Sequence, residues 1–254
     1  MANRVSTFVA AIAVTLGAAL ATASPASAAL VSVTTLKGSA SDYSAFRAAE
    51  SAFWAGKTLT YSEDFENHEI MEEVPAIDSA VGTFTSTLGG QRGQEISILD
   101  AANTPFGGRY NVSNDLAGSG KWLDSNDSKE IVWDVSGLTA FDTISFWMTD
   151  VLDVAGKLSF QTTTGATYDT SITFPGAGGS NRNGSLFFIS MSFDEAITSF
   201  KWSATARNDG WGLDDIKIGS AVPLPAAVWF MLTALGGLAG LRWMNQNRLA
   251  MAAA

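Results

Sequence analysis

Two groups of carboxylates stand at the two ends of the central part of this chain. Glu63-Asp64-Phe65-Glu66 lies near its start, and Asp214 and Asp215 lie near its end in Gly212-Leu213-Asp214-Asp215-Ile216-Lys217-Ile218. If the first and last strands of a sheet lie side by side, these acids meet. Their chemistry suits a hard divalent cation, since calcium takes about six to eight oxygens from acids and carbonyls. Asp214 shares parity with Ile216 and Ile218, which places it on the inward face, where a carboxylate needs a partner. Asp124-Ser125-Asn126-Asp127-Ser128 also sets oxygens at alternate positions. It has Lys129 where a calcium loop needs glycine and lacks the glutamate at the twelfth place, so it reads as a polar turn. Asp150 and Asp153 likewise read as turn residues.

Other chemistry finds little support. The chain has one histidine and no cysteine, too few ligands for catalytic zinc and none for thiol chemistry or disulfides. His68 sits in the polar stretch Glu66-Asn67-His68-Glu69 and reads as a surface residue. No nucleophile elbow, phosphate loop or dinucleotide fingerprint occurs. A carboxylate pair could cleave glycosides, but nothing selects one pair among 25 acids. Sugar binding needs exposed rings with polar groups at their edges. Trp122 and Trp211 lie in glycine-rich polar segments and are the candidate platforms. Trp133, Trp147 and Trp202 lie in alternating strands and read as core.

The elements that must position these groups are mostly strands. Ser41 to Gly56 has helical periodicity, with Tyr43, Phe46, Phe53 and Trp54 near one face, and forms one short amphipathic helix after a loose, small and polar lead-in. From Thr58 onward, short β-branched and aromatic runs alternate with Gly/Asn/Asp/Ser turns. Strands are predicted at Leu59–Phe65, Gly82–Thr87, Glu95–Leu99, Lys129–Asp134, Thr143–Thr149, Lys157–Thr162, Tyr168–Phe174, Ser185–Met191, Ile197–Ala204 and Gly212–Ile218. The pattern predicts a mainly β protein: an antiparallel β-sandwich, a jelly roll, as one domain over residues 58–220, preceded by lead-in and helix over 29–57. The net charge is −10. All 25 acids fall between Asp42 and Asp215, in the mature part of the chain, which speaks against a nucleic-acid partner.

Both ends read as membrane-directed. Arg4, the apolar stretch Phe8 to Ala23 and the small residues Ala26 and Ala28 form a signal helix, with cleavage by signal peptidase after Ala28; residues 1–28 are the signal peptide. At the other end, Ala226 to Leu241 carries no charge. With Trp229 and Trp243 near the interfaces and Arg242 and Arg248 beyond, residues 226–243 read as a transmembrane helix and 244–254 as a cytoplasmic tail.

Val222, Pro223, Leu224, Pro225 and Ala226, the apolar helix after them and the basic end closely resemble the VPLPA variant of PEP-CTERM sorting signals, found on exported proteins of Gram-negative bacteria. The motif occupies residues 221–226. The resemblance implies recognition by an exosortase-type membrane protease and anchoring in the inner membrane before processing. It also implies removal of the helix and transfer of the body to the envelope surface or its polysaccharide matrix. In the body, Phe65-Glu66 and Asp214-Asp215-Ile216 resemble jelly-roll carbohydrate-binding modules, in which such residues flank a structural calcium. That resemblance implies Glu66 and Asp214 as ligands, with Asp215 next. Asn208-Asp209-Gly210-Trp211-Gly212 is similar to the loop before the last strand of many exported β-sandwich domains. The expectation is an exported cell-envelope or extracellular-matrix protein with a non-catalytic body associated with exopolysaccharide. The alternatives are a secreted glycan-active hydrolase or lyase, and a purely structural surface protein without a ligand.

Overall fold

The computed structural model describes residues 32–90, 93, 95–104, 107–113, 120–151, 156–162, 167–173, 183–194, 197–204 and 210–221. The signal peptide with Ala26 and Ala28, the motif Val222 to Ala226, the C-terminal apolar run and the tail lie outside the described residues, as do Asp153, Asn208 and Asp209. No helix among the described residues is long and apolar enough to cross a membrane.

The elements are β1 (Ser32–Ser39), α1 (Tyr43–Trp54), β2 (Lys57–Glu63), β3 (Met71–Val74), β4 (Ala76–Ser79), β5 (Gly82–Leu88), β6 (Ile96–Asp100), β7 (Lys121–Asp124), β8 (Glu130–Asp134), β9 (Thr143–Thr149), β10 (Gly156–Thr162), β11 (Thr167–Thr173), β12 (Ser185–Ser192), β13 (Ile197–Ala204) and β14 (Gly212–Ala221). They build two antiparallel sheets. One has eight strands in the order β1-β12-β9-β14-β7-β6-β3, with β2 also on β14; the other has six in the order β11-β10-β13-β8-β5-β4. From β8 to β14 the chain passes back and forth between the sheets, apart from the β10–β11 hairpin, as the jelly-roll expectation requires.

The core between the sheets is aromatic. Trp133 lies 5.1 Å from Phe84, 5.0 Å from Phe200 and 5.8 Å from Trp202, stacked on each. Its indole N–H donates to Val81 O at 2.8 Å, so the one polar atom of the buried ring is satisfied. Burial of such rings supplies much of the cohesion of a body with no disulfide.

All ten strands expected from the alternation are present, and four more join them. Where the composition predicts a loose lead-in, the chain forms β1, an edge strand paired along its length with β12 from Ser32↔Ser192 to Ser39↔Ser185. An edge strand of small polar residues is half solvated and shows little hydrophobic contrast. β3, β4 and β7 have four residues each, too short to show a period.

Helix α1 closes the outer face of the eight-stranded sheet. A turn of 3-10 helix, Ala40–Asp42, leads into it, and the Ser39 N–H donates to Asp42 Oδ2 at 2.9 Å. Gly56 ends it at φ +73°, a conformation that glycine adopts without a Cβ clash. Phe46 and Glu50 are buried beneath it, Phe46 lies 6.2 Å from Trp147 of β9, and Trp54 Nε1 donates to Ser145 Oγ at 2.9 Å.

Candidate functional site

Strand β14 is where the two carboxylate groups meet. Along one edge it pairs with β9. Along the other, Gly212 and Leu213 pair with β7, and Ile216 to Ala221 pair with β2. Between the two lies a bulge: Asp214 opposes Trp147 and Lys217 opposes Ser145, with Asp215 at φ +45°. The extra residue resets the alternation. Leu213, Ile216 and Ile218 all face the core. Asp214, opposite Trp147, therefore points to the outer face, beneath residues 107–113. The parity argument that placed Asp214 inward with Ile216 and Ile218 is corrected by this one residue.

Asp214 is 1% exposed and accepts five hydrogen bonds. Its Oδ2 takes Val112 N–H at 2.6 Å, Ser113 N–H at 3.0 Å and Asn111 Nδ2 at 3.1 Å. Its Oδ1 takes Ser113 Oγ and Asp215 N–H, both at 2.7 Å. Asn111 Nδ2 also lies 2.9 Å from Glu66 Oε1 and 3.0 Å from Lys121 O. Glu66 and Asp214 thus flank a single amide nitrogen, and the ends of the body come together as the sequence suggested. Burial pushes the Asp214 carboxyl up to about 7, against the pull of the Ser113 and Val112 hydrogen bonds.

Asp215 faces α1. Arg47 Nη1 contacts Asp215 Oδ2 and lies 2.6 Å from Glu50 Oε2. Lys217 Nζ lies 2.8 Å from Glu50 Oε1 and 3.2 Å from Asp215 Oδ1. The guanidinium also stacks 4.6 Å from the Trp147 ring and donates to Val112 O. Two cations neutralise two acids, and the helix is fastened to the sheet.

Calcium must take oxygen lone pairs. Here the Asp214 oxygens face N–H and O–H donors, three of them backbone amides that cannot reverse, and Asp215 is held by Arg47 and Lys217. This donor set does not fit calcium at Glu66, Asp214 and Asp215. Among the described residues no group of three His, Cys, Asp or Glu side chains is placed to hold a metal.

The tryptophan platforms are likewise corrected. Trp122 is 1% exposed and Trp211 is 3% exposed. Trp122 lies against Gly212, where a Cβ would come within 3.1 Å of the ring and 2.5 Å of Thr149 Oγ1. Trp211 packs 5.5 Å from Trp202 in the core. Neither indole has a face open for a sugar. The neighbouring glycines mark close packing here, and the same glycines made the segments look exposed in the sequence.

The turn Asp124–Ser128 is buried and structural. Arg109 Nη1 lies 2.8 Å from Asp124 Oδ1, Trp211 N–H donates to Ser125 Oγ at 2.7 Å, and Ser128 Oγ donates to Glu95 O at 2.6 Å. Asp150, at φ +61°, accepts Gly184 N–H at 3.0 Å. His68 is half-buried, 3.4 Å from Glu63 Oε2.

A site that the sequence reading missed lies on the outer face of the six-stranded sheet. A cavity of about 320 Å³ is lined by Val132, Ser159, Phe160, Gln161, Ser199 and Lys201. Two cross-strand rows make it: Val132, Lys201 and Ser159 are successive partners across β8, β13 and β10, and Ser199 partners Gln161 one row away. At its rim Lys201 Nζ lies 3.3 Å from Glu130 Oε2. Hydrogen bonding from Thr87, aided by Lys201, holds the Glu130 carboxyl below its ordinary range. The signal available in sequence was the outward parity of three neighbouring strands, which needs the strand order to be read.

No family model and no curated protein matches this chain. Solved structures with a similar course of strands include the K2 cleaved adhesin domain of Lys-gingipain, at 14% identity and a TM-score of 0.38 over 62% of this chain and 96% of that one. They also include the CBM22-1 xylan-binding domain of Xyn10C from Paenibacillus barcinonensis, at 11% identity and a TM-score of 0.35 over 66% of this chain and 98% of that one. A carbohydrate-binding module of lichenase 5A from Cellvibrio mixtus, solved in complex with cellotriose, matches at 17% identity with a TM-score of 0.25 over 48% of this chain and 95% of that one.

Proposed function

We propose that this is an exported protein of the cell envelope or extracellular matrix of a Gram-negative bacterium, whose β-sandwich body binds exopolysaccharide without cleaving it. The observation that carries the reading is the groove on the six-stranded sheet. A sugar ring offers C–H faces and a rim of hydroxyls. The groove offers the apolar Val132 beside the hydroxyl, amide and ammonium groups of Ser199, Gln161 and Lys201, with Ser159 buried at its floor and the Phe160 ring turned into the core. Among the described residues its lining holds no carboxylate; Asp134, the partner of Ser199, and Glu130, at the rim, stand beside it, and glycoside hydrolysis would need such acids as a pair flanking the bond. Export and sorting rest on the two ends of the sequence, with signal peptidase and an exosortase-type membrane protease as processing partners.

The test is a glycan array, together with the exopolysaccharide of the source organism, probed with the mature body. Binding is expected. Gln161→Ala with Lys201→Ala should weaken it about tenfold while leaving the thermal midpoint in place, as exposed substitutions do. Release of reducing sugar would instead point to a glycan-active hydrolase. Absence of binding to every glycan would leave a structural surface protein. Mass spectrometry of the protein from envelope and medium reads both termini and tests cleavage after Ala28 and near Val222 to Ala226.

A further inference from the structure

The two ends of the body leave it from one side. Ser32, Ser192, Thr143, Gly219 and Leu59 are successive cross-strand partners in one row spanning β1, β12, β9, β14 and β2. β1 begins on this row, and β14 finishes two residues beyond it, at Ala221. The loop between β8 and β9 is fastened to the same end. Asp142 N–H donates to Gly219 O at 3.2 Å, Phe193 N–H to Asp142 O at 2.7 Å, and Ala221 N–H to Asp142 Oδ1 at 2.9 Å. The opposite end carries Ser39, where β1 stops, about 23 Å away at the usual rise per strand residue.

From Ala221 to Ala226, where the uncharged run begins, the chain has five residues. Fully extended they reach at most about 18 Å, and the headgroup layer on each side of a bilayer takes up about 6 Å of that. We infer that the unprocessed protein stands on the membrane with this end down, docking loop 135–142 and the edge of β2 onto the lipid headgroups. The inference rests on the reading of residues 226–243 as a membrane span.

The end is suited to that contact. Ser136-Gly137-Leu138-Thr139-Ala140 carries no charge in a chain of net charge −10, and Ser136, Gly137, Thr139 and Ala140 are exposed. The carboxylate of Asp142 is engaged by Ala221 N–H and by Thr143 Oγ1 at 2.8 Å. Leu59, one of two large apolar side chains left exposed among the described residues, lies on the same row at 49% exposure. The same end carries the exposed Asp194, just beyond Ser192, and Lys57, opposite Ala221; an acidic body is repelled by anionic lipid, so the uncharged stretch 136–140 is the part of this end that can approach. The groove on the six-stranded sheet lies on a lateral face in this posture and stays open to solvent.

The chain has no cysteine, so one introduced thiol labels one place. The signal-cleaved chain that keeps its C-terminal run is made in a host without a sorting protease. Gly137→Cys, Leu59→Cys and Ala40→Cys forms are labelled with bimane and reconstituted in phosphatidylethanolamine–phosphatidylglycerol vesicles with a headgroup nitroxide quencher. A Cβ at Gly137 meets nothing within 4 Å, and Leu59 and Ala40 are exposed, so all three forms should fold; thermal melts check this. Quenching at Gly137 and Leu59 is expected to exceed that at Ala40 at least threefold, as contact quenching over a few ångströms demands at a separation of about 23 Å. Equal quenching at all three, or strongest quenching at Ala40, on protein that floats with the vesicles overturns the posture alone. Protein that does not float with vesicles overturns the membrane-span reading and the posture with it.

Discussion

Replacing Asp214 by asparagine keeps the shape of the side chain and removes one acceptor atom. The structure fixes what that must cost. If the new NH₂ takes the place of Oδ2, it confronts the N–H groups of Val112 and Ser113 and the amide of Asn111. If it takes the place of Oδ1, it confronts the Asp215 N–H, while the Ser113 hydroxyl can turn and accept. The second arrangement is cheaper. It orphans one buried donor, the Asp215 N–H, at about 1–3 kcal/mol. The expected loss is therefore about 1–3 kcal/mol, which at about 2–4 °C per kcal/mol at this size is several degrees in midpoint. Urea unfolding of the mature body, followed by tryptophan fluorescence, measures it. Hydrogen exchange at Val112 and Ser113 should rise before global unfolding, since their acceptor is the atom altered. A loss below about 1 kcal/mol with those amides still protected would refute the claim that this carboxylate organises residues 107–113.

The same carboxyl gives a pH dependence. Its native value of about 7 lies above the ordinary 3.8, so between those values the native state holds the proton more firmly than the unfolded chain, and stability should fall as pH rises across that window. Subtracting the Asp214→Asn profile isolates this slope; a difference that rises with pH would reverse the sign. Arg47→Met should cost about 2–4 kcal/mol, because Asp215 and Glu50 keep one cation, Lys217, while Trp147 loses its guanidinium and Val112 O keeps only the Tyr43 hydroxyl; loss of less than about 1 kcal/mol in urea unfolding would show the cluster to be solvated. Trp122→Phe and Trp211→Phe should lower the midpoint and leave glycan affinity unchanged, since both rings are buried; a loss of affinity at equal stability would restore them as platforms. Adding calcium or EGTA should move the thermal midpoint by less than about 1 °C, because the oxygens of Asp214 and Asp215 are taken by N–H, O–H and cationic donors; a larger shift would show that a cation is bound.

The sandwich was legible in the sequence wherever strands alternate over a buried face. Ile144, Phe146 and Met148 fall on one side of β9 and enter the core, and the alternation bounds that strand at Thr143–Thr149, as observed. Trp147, read as core, is fully buried too, but in a second cluster on the outer side of β9, where α1 and residues 107–113 lie over it. Legibility failed where pairing between strands decides the direction of a side chain. Asp214 was misplaced because a bulge is a fact of pairing between two strands, and a single strand carries no sign of it beyond the tolerance of Asp for φ above zero. Asn111 was invisible for the same reason. Its role arises from Glu66, Lys121 and Asp214, which are distant in the chain.

These failures share a cause that bears on function. A strand with two different neighbours along one edge must change its twist and pairing midway, and β14 does so at Asp214 and Asp215. The gap between β7 and β2 exposes backbone and opens the sheet to residues 107–113, whose amides need acceptors. A carboxylate at that point meets the need, and a second one beside it anchors the helix through Arg47. The acids that looked available for a ligand are thus consumed in closing the fold. The six-stranded sheet has no such branch: β10, β13 and β8 run side by side with Ser159, Lys201 and Val132 in register, and no helix covers them among the described residues. If the body binds a glycan as proposed, substitutions that abolish binding without unfolding it should therefore be found on the outward rows of that sheet and not around β14.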